Sequence, residues 1–264
     1  MARRSMMLAW MTLAIPLGVA GRGEAAAWTQ AKGDKEVIVS LHRQDSTHGF
    51  GLDGEAVDIV DYRKDELQAF AEYGLSDQLT VRAQGSVRRL RTRNARDTEP
   101  GHVELAARYR ILSGKTWVLS GESAVRLPGG DGDPGAAQRG SPDAEYDARF
   151  LFGKSGKLAG RPVFLDLQAG LRRREGDAPD ERRLDITVGG RPGARLMLLG
   201  QLFDVSSAGA GQGVFEAYRY RNLQLTAVYD LPAGWSVQAG AVGTASGRNA
   251  LRERGAVLAV WRRF

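Results

Sequence analysis

From Leu79 to Arg88 the chain reads LTVRAQGSVR, alternating with a period of two. Leu79, Val81, Ala83, Gly85 and Val87 share one face, and Thr80, Arg82, Gln84, Ser86 and Arg88 share the other. This is a strand with one aliphatic and one charged side. About twelve runs of this kind succeed one another, near residues 35–43, 65–74, 79–90, 103–112, 116–126, 145–152, 162–173, 182–190, 195–204, 218–229, 235–244 and 254–264. Segments with helical period are almost absent. The aliphatic side is short of bulk, with Ala and Gly among Leu and Val. A water-soluble sheet needs that side to fill a close-packed core, whereas lipid tails make no such demand. Runs of about 8–12 residues also match what a tilted strand needs to cross a hydrocarbon layer. The pattern predicts an all-β fold, an antiparallel transmembrane β-barrel of about twelve strands with its polar side inward.

The connections alternate in length. Residues 74–78, 113–115, 191–194 and 231–234 make tight turns, and 153–161 a longer one of the same set. Between them lie longer polar links at 44–64, 91–102, 128–144, 174–181, 205–217 and 245–253, of which PGGDGDPGAAQRGSPDA is the most loop-like. Short turns on one side and long links on the other are the asymmetry of outer-membrane barrels, whose short turns and chain ends face the periplasm. Aromatic residues give an independent check. Tyr73, Tyr109, Trp117, Phe152, Tyr229, Trp235 and Phe264 flank the short turns or the C-terminus, each on its strand's apolar parity, as an interfacial girdle requires. Tyr146, Tyr218 and Tyr220 lie at the opposite strand ends, the last two on inward parity.

The N-terminus supports export. Arg3 and Arg4 precede an apolar run from Met6 to Ala20, too short for a comfortable bilayer span, and Ala25, Ala26 and Ala27 fit a small-residue cleavage site. Residues 1–27 are expected to be a signal peptide and 28–264 the barrel; an amphipathic N-terminal anchor is the alternative. No second apolar stretch of helical-span length follows, which excludes a helical membrane protein. The formal charge of +6 falls to +4 once the leader's three arginines and one glutamate are set aside, and no nucleic-acid partner is inferred from it. There is no Cys.

The chain closes on GAVLAVWRRF. A terminal aromatic on a last strand resembles the signal recognised by the outer-membrane assembly machinery, with Ala256, Leu258 and Val260 sharing the parity of Phe264 and Arg262 interrupting it. The stretch YGLSDQLTV, Tyr73 to Val81, is similar to a periplasmic turn of proteobacterial porin-like barrels. Across the whole mature chain the pattern resembles a porin-like outer-membrane β-barrel protein of Gram-negative bacteria. That resemblance implies an outer-membrane location, contact with outer-membrane lipid and lipopolysaccharide, assembly through the strand ending at Phe264, and passive passage of small hydrophilic solutes.

Parity assigns Glu72, Arg82, Arg88, Glu104, Arg108, Arg110, Glu122, Arg126, Glu145, Asp147, Arg149, Asp166, Arg172, Arg183, Asp185 and Arg195 to the interior. If these arginines stand free, they favour anionic solutes, because guanidinium pairs bidentately with carboxylate or phosphate. Arg82, Arg108, Arg110, Arg126 and Arg149 are the candidate solute-binding residues on that reading. If instead the nearly balanced charges neutralise one another across strands, they fill the lumen. The later strands carry neutral Asn222, Gln224, Thr226, Ser236, Gln238 and Thr244, so one wall is charged and the other uncharged. Such a wall suits an acidic sugar, and the layout resembles that of twelve-stranded sugar-acid channels. No cofactor and no metal is expected: His48 and His102 fall in loops, without Cys or an i, i+4 partner.

Three further features were weighed. Ser40 and His42 point the same way on the first strand, but no orienting acid is evident nearby in the sequence, so catalysis is not expected. A nonconducting structural or surface-interaction barrel, and less favourably a barrel hydrolase, stand as alternatives to a channel. Gly209–Gly213, GAGQG, lacks the strand-to-helix setting of a phosphate loop. RRLRTRNAR, Arg88 to Arg96, lies at an outer rim, where it either touches anionic lipopolysaccharide or is a solvated charge run.

Overall fold

The computed structural model describes residues 26–93, 96–129, 143–213 and 215–264. Nearly all of the expected signal peptide and most of the 128–144 link lie outside them. Twelve long strands follow in order: β1 (Lys35–Phe50), β2 (Ala56–Ser76), β3 (Leu79–Thr92), β4 (Arg96–Ser113), β5 (Trp117–Leu127), β6 (Glu145–Leu158), β7 (Arg161–Arg174), β8 (Glu181–Gly190), β9 (Leu196–Ser207), β10 (Arg219–Asp230), β11 (Trp235–Arg248) and, after the two-residue β12 (Ala250–Leu251), β13 (Arg254–Arg263). Every long strand pairs antiparallel with its chain neighbour, and β1 pairs with both β2 and β13, from Glu36 opposite Arg263 to Asp45 opposite Arg254. Closure leaves no sheet edge, so every transmembrane backbone group can be paired inside the protein.

The parity read from LTVRAQGSVR holds. Thr80, Arg82, Gln84 and Arg88 are buried, while Val87 and its aliphatic counterparts Leu67, Leu105 and Leu225 are about half exposed or more, as a lipid-facing surface must be. The girdle residues Tyr73, Tyr109, Trp117, Tyr229, Trp235 and Phe264 are exposed around the short-turn end. Arg262, which interrupts the terminal apolar series, stacks its guanidinium over Trp235 at 5.1 Å and Phe264 at 4.9 Å from the ring centroids. Its charge is therefore held in the interface by cation–π contact, with the stem lying among aromatics.

The strands are longer than alternation predicts. β1 runs to Phe50, β2 begins at Ala56 and β4 begins at Arg96, so most of the expected 44–64 and 91–102 links are sheet, and His48 and His102 lie on strands. Beyond the bilayer both faces of a strand meet polar surroundings, so the hydropathy alternation fades while the hydrogen-bond ladder continues. The 153–161 connection is likewise mostly strand: β6 and β7 meet at a two-residue turn, Ala159 and Gly160, both with positive φ. Arg195, assigned inward by parity, is exposed in the turn before β9.

Candidate functional site: the barrel interior

The interior has three levels. At the short-turn end, Ile38, Phe70, Phe164, Met197, Leu199, Val228, Ala259 and Trp261 form an apolar layer inside the barrel. Their inward parity departs from an apolar-out, polar-in rule, and they cluster because each lies near the short-turn end of its strand. At the other end Phe203, Val205, Tyr218, Tyr220 and Val242 make a second apolar group, with the two tyrosine rings stacked 6.3 Å apart. Between them lies a lattice of charge.

That lattice runs from strand to strand across β2–β8. Glu122 of β5 accepts hydrogen bonds from Arg82 of β3 at 2.8 Å and from Arg108 of β4 at 3.0 Å. Arg108 also reaches Glu72 at 3.0 Å, and Arg82 reaches Glu104 at 2.7 Å. Arg126 links Glu104 at 2.9 Å to Glu145. Arg172 joins Glu145 at 3.2 Å and Asp147 at 2.7 Å, and Arg149 joins Asp147 at 3.5 Å and Asp185 at 3.3 Å. Arg174 adds Glu145 at 3.0 Å and Glu181 at 2.6 Å, and the Tyr218 hydroxyl donates to Glu181 at 2.6 Å. On the far wall amides replace ions: Gln224 donates to Gln201 at 2.9 Å, Gln238 to Thr226 at 3.0 Å, and the Trp261 indole to Gln238 at 3.1 Å. The division into a charged and an uncharged wall is thus present.

Of the five candidate arginines, Arg82, Arg108, Arg126 and Arg149 are brought together in this lattice, each buried and paired with interior carboxylates. Arg110 shares their parity but sits apart, half-buried at the end of β4, where its N–H donates to the Gln78 carbonyl in the short turn. Burying a charge is tolerable only when it is paired and hydrogen-bonded, and the cross-strand register supplies the partners: Glu104 opposite Arg126, Arg108 opposite Glu122, Glu122 opposite Arg149.

The segment before β1 enters this interior from the short-turn end. Ala26 and Ala27 lie buried against Val118 and Leu151, and Trp28 packs between them and the apolar layer. The Ala27 N–H donates to Asp166 at 2.7 Å, Ser120 donates to the Ala27 carbonyl at 2.6 Å, and Arg108 donates to the Trp28 carbonyl at 3.2 Å. Outward along the segment, the Gln30 N–H donates to Thr80 and the Lys32 N–H to Asp77, tying it to the β2–β3 turn. Two glycines make room. A Cβ on Gly153 would stand 2.0 Å from the Trp28 ring, and one on Gly74 would stand 2.0 Å from the Ala31 carbonyl oxygen. Nothing in the strand alternation marks this insertion; the sequence signals are the inward-parity glycine of β6 and a Trp just ahead of the first strand.

Ser40 and His42 are buried on β1 with Oγ and Nε2 3.1 Å apart. An acid does lie near: Glu66 of β2 is the register partner of His42, and it also stands 3.8 Å from Lys64.

No family model matches the sequence. No curated protein matches it. Among solved structures, an outer-membrane channel from Pseudomonas putida F1 superposes with a TM-score of 0.74 at 15% identity, covering 90% of this chain and 98% of its own. The NanC porin gives 0.55 at 9% identity, over 85% and 98% of the two chains. The KdgM porin in complex with disordered oligogalacturonate gives 0.53 at 11%, over 86% and 99%. These likenesses concern the fold: the chain shares the closed antiparallel barrel architecture of these outer-membrane proteins, and its exposed aliphatic belt and aromatic girdle suit a barrel set in lipid.

Proposed function

We propose that the protein is an outer-membrane channel for small hydrophilic solutes, closed in the state seen here by its own N-terminal segment and by the arginine–carboxylate lattice. The observation that carries this reading is the segment itself. The barrel encloses Trp28, the first residue of the expected mature chain, within its wall of twelve strands, held by its indole, by Arg108 on its carbonyl and by the ties of Gln30 and Lys32 to Thr80 and Asp77, so its bore accepts a peptide that is not part of the wall. Withdrawal of that peptide leaves polar and charged side chains around a widened passage. In this reading Arg82, Arg108, Arg126 and Arg149 meet an anionic solute by exchange, a solute carboxylate replacing a resident Glu or Asp, since the same bidentate geometry serves both. Arg110 would meet solute at the periplasmic rim. The neutral amide wall would take hydroxyl groups, which suits an acidic sugar; the oligogalacturonate held by KdgM is a ligand of that class.

A second reading is favoured by the pairing of charges across the lattice. With lumen charges paired and buried, the barrel is a nonconducting structural element that displays its long links. Neither reading assigns a catalytic role to Ser40, His42 and Glu66. Single-channel recording in planar bilayers separates the two. The channel reading expects the mature chain to open rarely, and a chain lacking residues 28–34 to conduct steadily with anion preference. Silence of both, with the barrel folded, supports the nonconducting reading. Steady cation preference overturns the role given to the arginines.

A further inference from the structure

The outward face carries a second pattern, independent of the lumen. Toward the long-connection end, the aliphatic series on many strands stops at an arginine: Arg43 follows Leu41, Arg89 and Arg91 follow Val87, Arg173 follows Leu171, Arg182 precedes Leu184, Arg221 precedes Leu223 and Arg254 precedes Ala256. At the opposite end the same face stops at aromatic rings. The two interfaces of the barrel are therefore chemically different, one built of tyrosine and tryptophan and the other of guanidinium.

Part of this arginine belt and its neighbours are balanced by outward carboxylates. Arg43 pairs with Asp65 at 2.7 Å, Arg63 with Asp45, and Arg219 and Arg221 with Asp204 at 2.9 and 2.7 Å. The β3–β4 hairpin is balanced less closely. There Arg91 stands in register with Arg63 of β2, which Asp45 already pairs, and with Arg96 of β4. Like charges directly opposite one another are destabilising unless an anion joins them. Arg89, Arg91 and Arg96, with Asp97 and Thr98, line a cavity of about 260 Å³. The Arg91 Nε has no hydrogen-bond partner among the described residues, and its Nη2 lies 3.9 Å from the Asp65 carboxylate, which Arg43 also holds. Directly toward the membrane, the same face continues in exposed Val87, Leu67 and Val103.

We propose that Arg89, Arg91 and Arg96 form a binding site for the phosphate of an outer-leaflet lipid, with Arg63 at its edge. Guanidinium forks match phosphate oxygens, and the clustered charge favours a multivalent anion. The aliphatic border selects a lipid-borne phosphate over a free one, because the headgroup fills the cavity while an acyl chain lies along Val87, Leu67 and Val103. The ligand class is a phosphorylated glycolipid of the outer leaflet, of which lipid A is the accessible representative.

The test is native mass spectrometry of the detergent-solubilised full-length barrel titrated with bisphosphorylated lipid A, dephosphorylated lipid A, or inorganic phosphate. The site predicts saturable retention of the bisphosphorylated form, with the other two retained about tenfold less or not at all. It also predicts that the R89Q/R91Q/R96Q variant loses that retention while R89K/R91K/R96K keeps part of it, folding of both being checked by heat-modifiable gel mobility. Equal retention of dephosphorylated lipid A, equal retention by a folded glutamine variant, or binding of inorganic phosphate as strong as that of lipid A would each overturn the proposal. If the glutamine variant does not fold, the three-ligand series on the parent chain decides alone.

Discussion

Trp28 is the residue on which closure of the interior should depend most. Its indole packs against the apolar layer of Ile38, Phe70, Phe164 and Trp261 and lies directly over Gly153. Truncating a well-buried aromatic to Ala costs about 3–5 kcal/mol, and since Trp28 is only partly buried we take a smaller value, about 2–3 kcal/mol. That energy comes from docking of the segment, not from the strand ladder, so it shifts the equilibrium between inserted and withdrawn forms by about 30- to 150-fold and leaves the barrel intact. In planar bilayers Trp28→Ala should spend that much more time conducting than the parent. Gly153→Val should do the same from the opposite side, because even its Cβ would occupy the space of the indole, at 2.0 Å from the ring. A folded Trp28→Ala barrel as quiet as the parent would refute the reasoning, and would leave the charge lattice as the sole closure.

Three further outcomes follow from the same geometry. Glu122→Gln removes the carboxylate shared by Arg82 and Arg108 and should lower stability against urea in lipid vesicles by about 3–5 kcal/mol, less where water reaches the lattice; an unchanged midpoint would mean the lattice is already solvated. Thr80→Val removes the acceptor of the Gln30 N–H and should raise conduction modestly, by about tenfold or less, in the recordings used for Trp28. Phe264→Ala should slow assembly into the membrane, measured as delayed appearance of the heat-modifiable band, without altering the conductance of barrels that do assemble.

Much of the transmembrane architecture was legible because one physical contrast, lipid outside and polar groups inside, is written into every strand with period two. Val81 against Arg82 and Leu105 against Glu104 are enough to orient β3 and β4. The contrast ends where the bilayer ends, which is why the extensions of β1, β2 and β4 beyond residues 43, 65 and 103 read as loops although their ladders continue. Inside the barrel, parity identified Arg82, Arg108, Arg126 and Arg149 but not their state. Whether an inward arginine stands free or is neutralised depends on the register between strands, and no single strand carries that information. The glutamate facing His42 was missed for the same reason, since it lies 24 positions away in sequence and is adjacent only through the β1–β2 register. The apolar layer around Trp261 and the inserted Trp28 break the alternation rule, and they do so together at the short-turn end.

The most direct test of the account concerns which solvent each face meets. Spin labels placed singly at Val81, Leu105, Leu167 and Leu225 should show collision with oxygen, which partitions into lipid, and protection from a polar nickel chelate, while labels at Asn222 and Thr226 should be shielded from oxygen. Oxygen-accessible labels at Asn222 and Thr226, or chelate-accessible ones at Val81 and Leu105, would contradict the inside-outside assignment on which both the closed interior and the lipid-phosphate site rest.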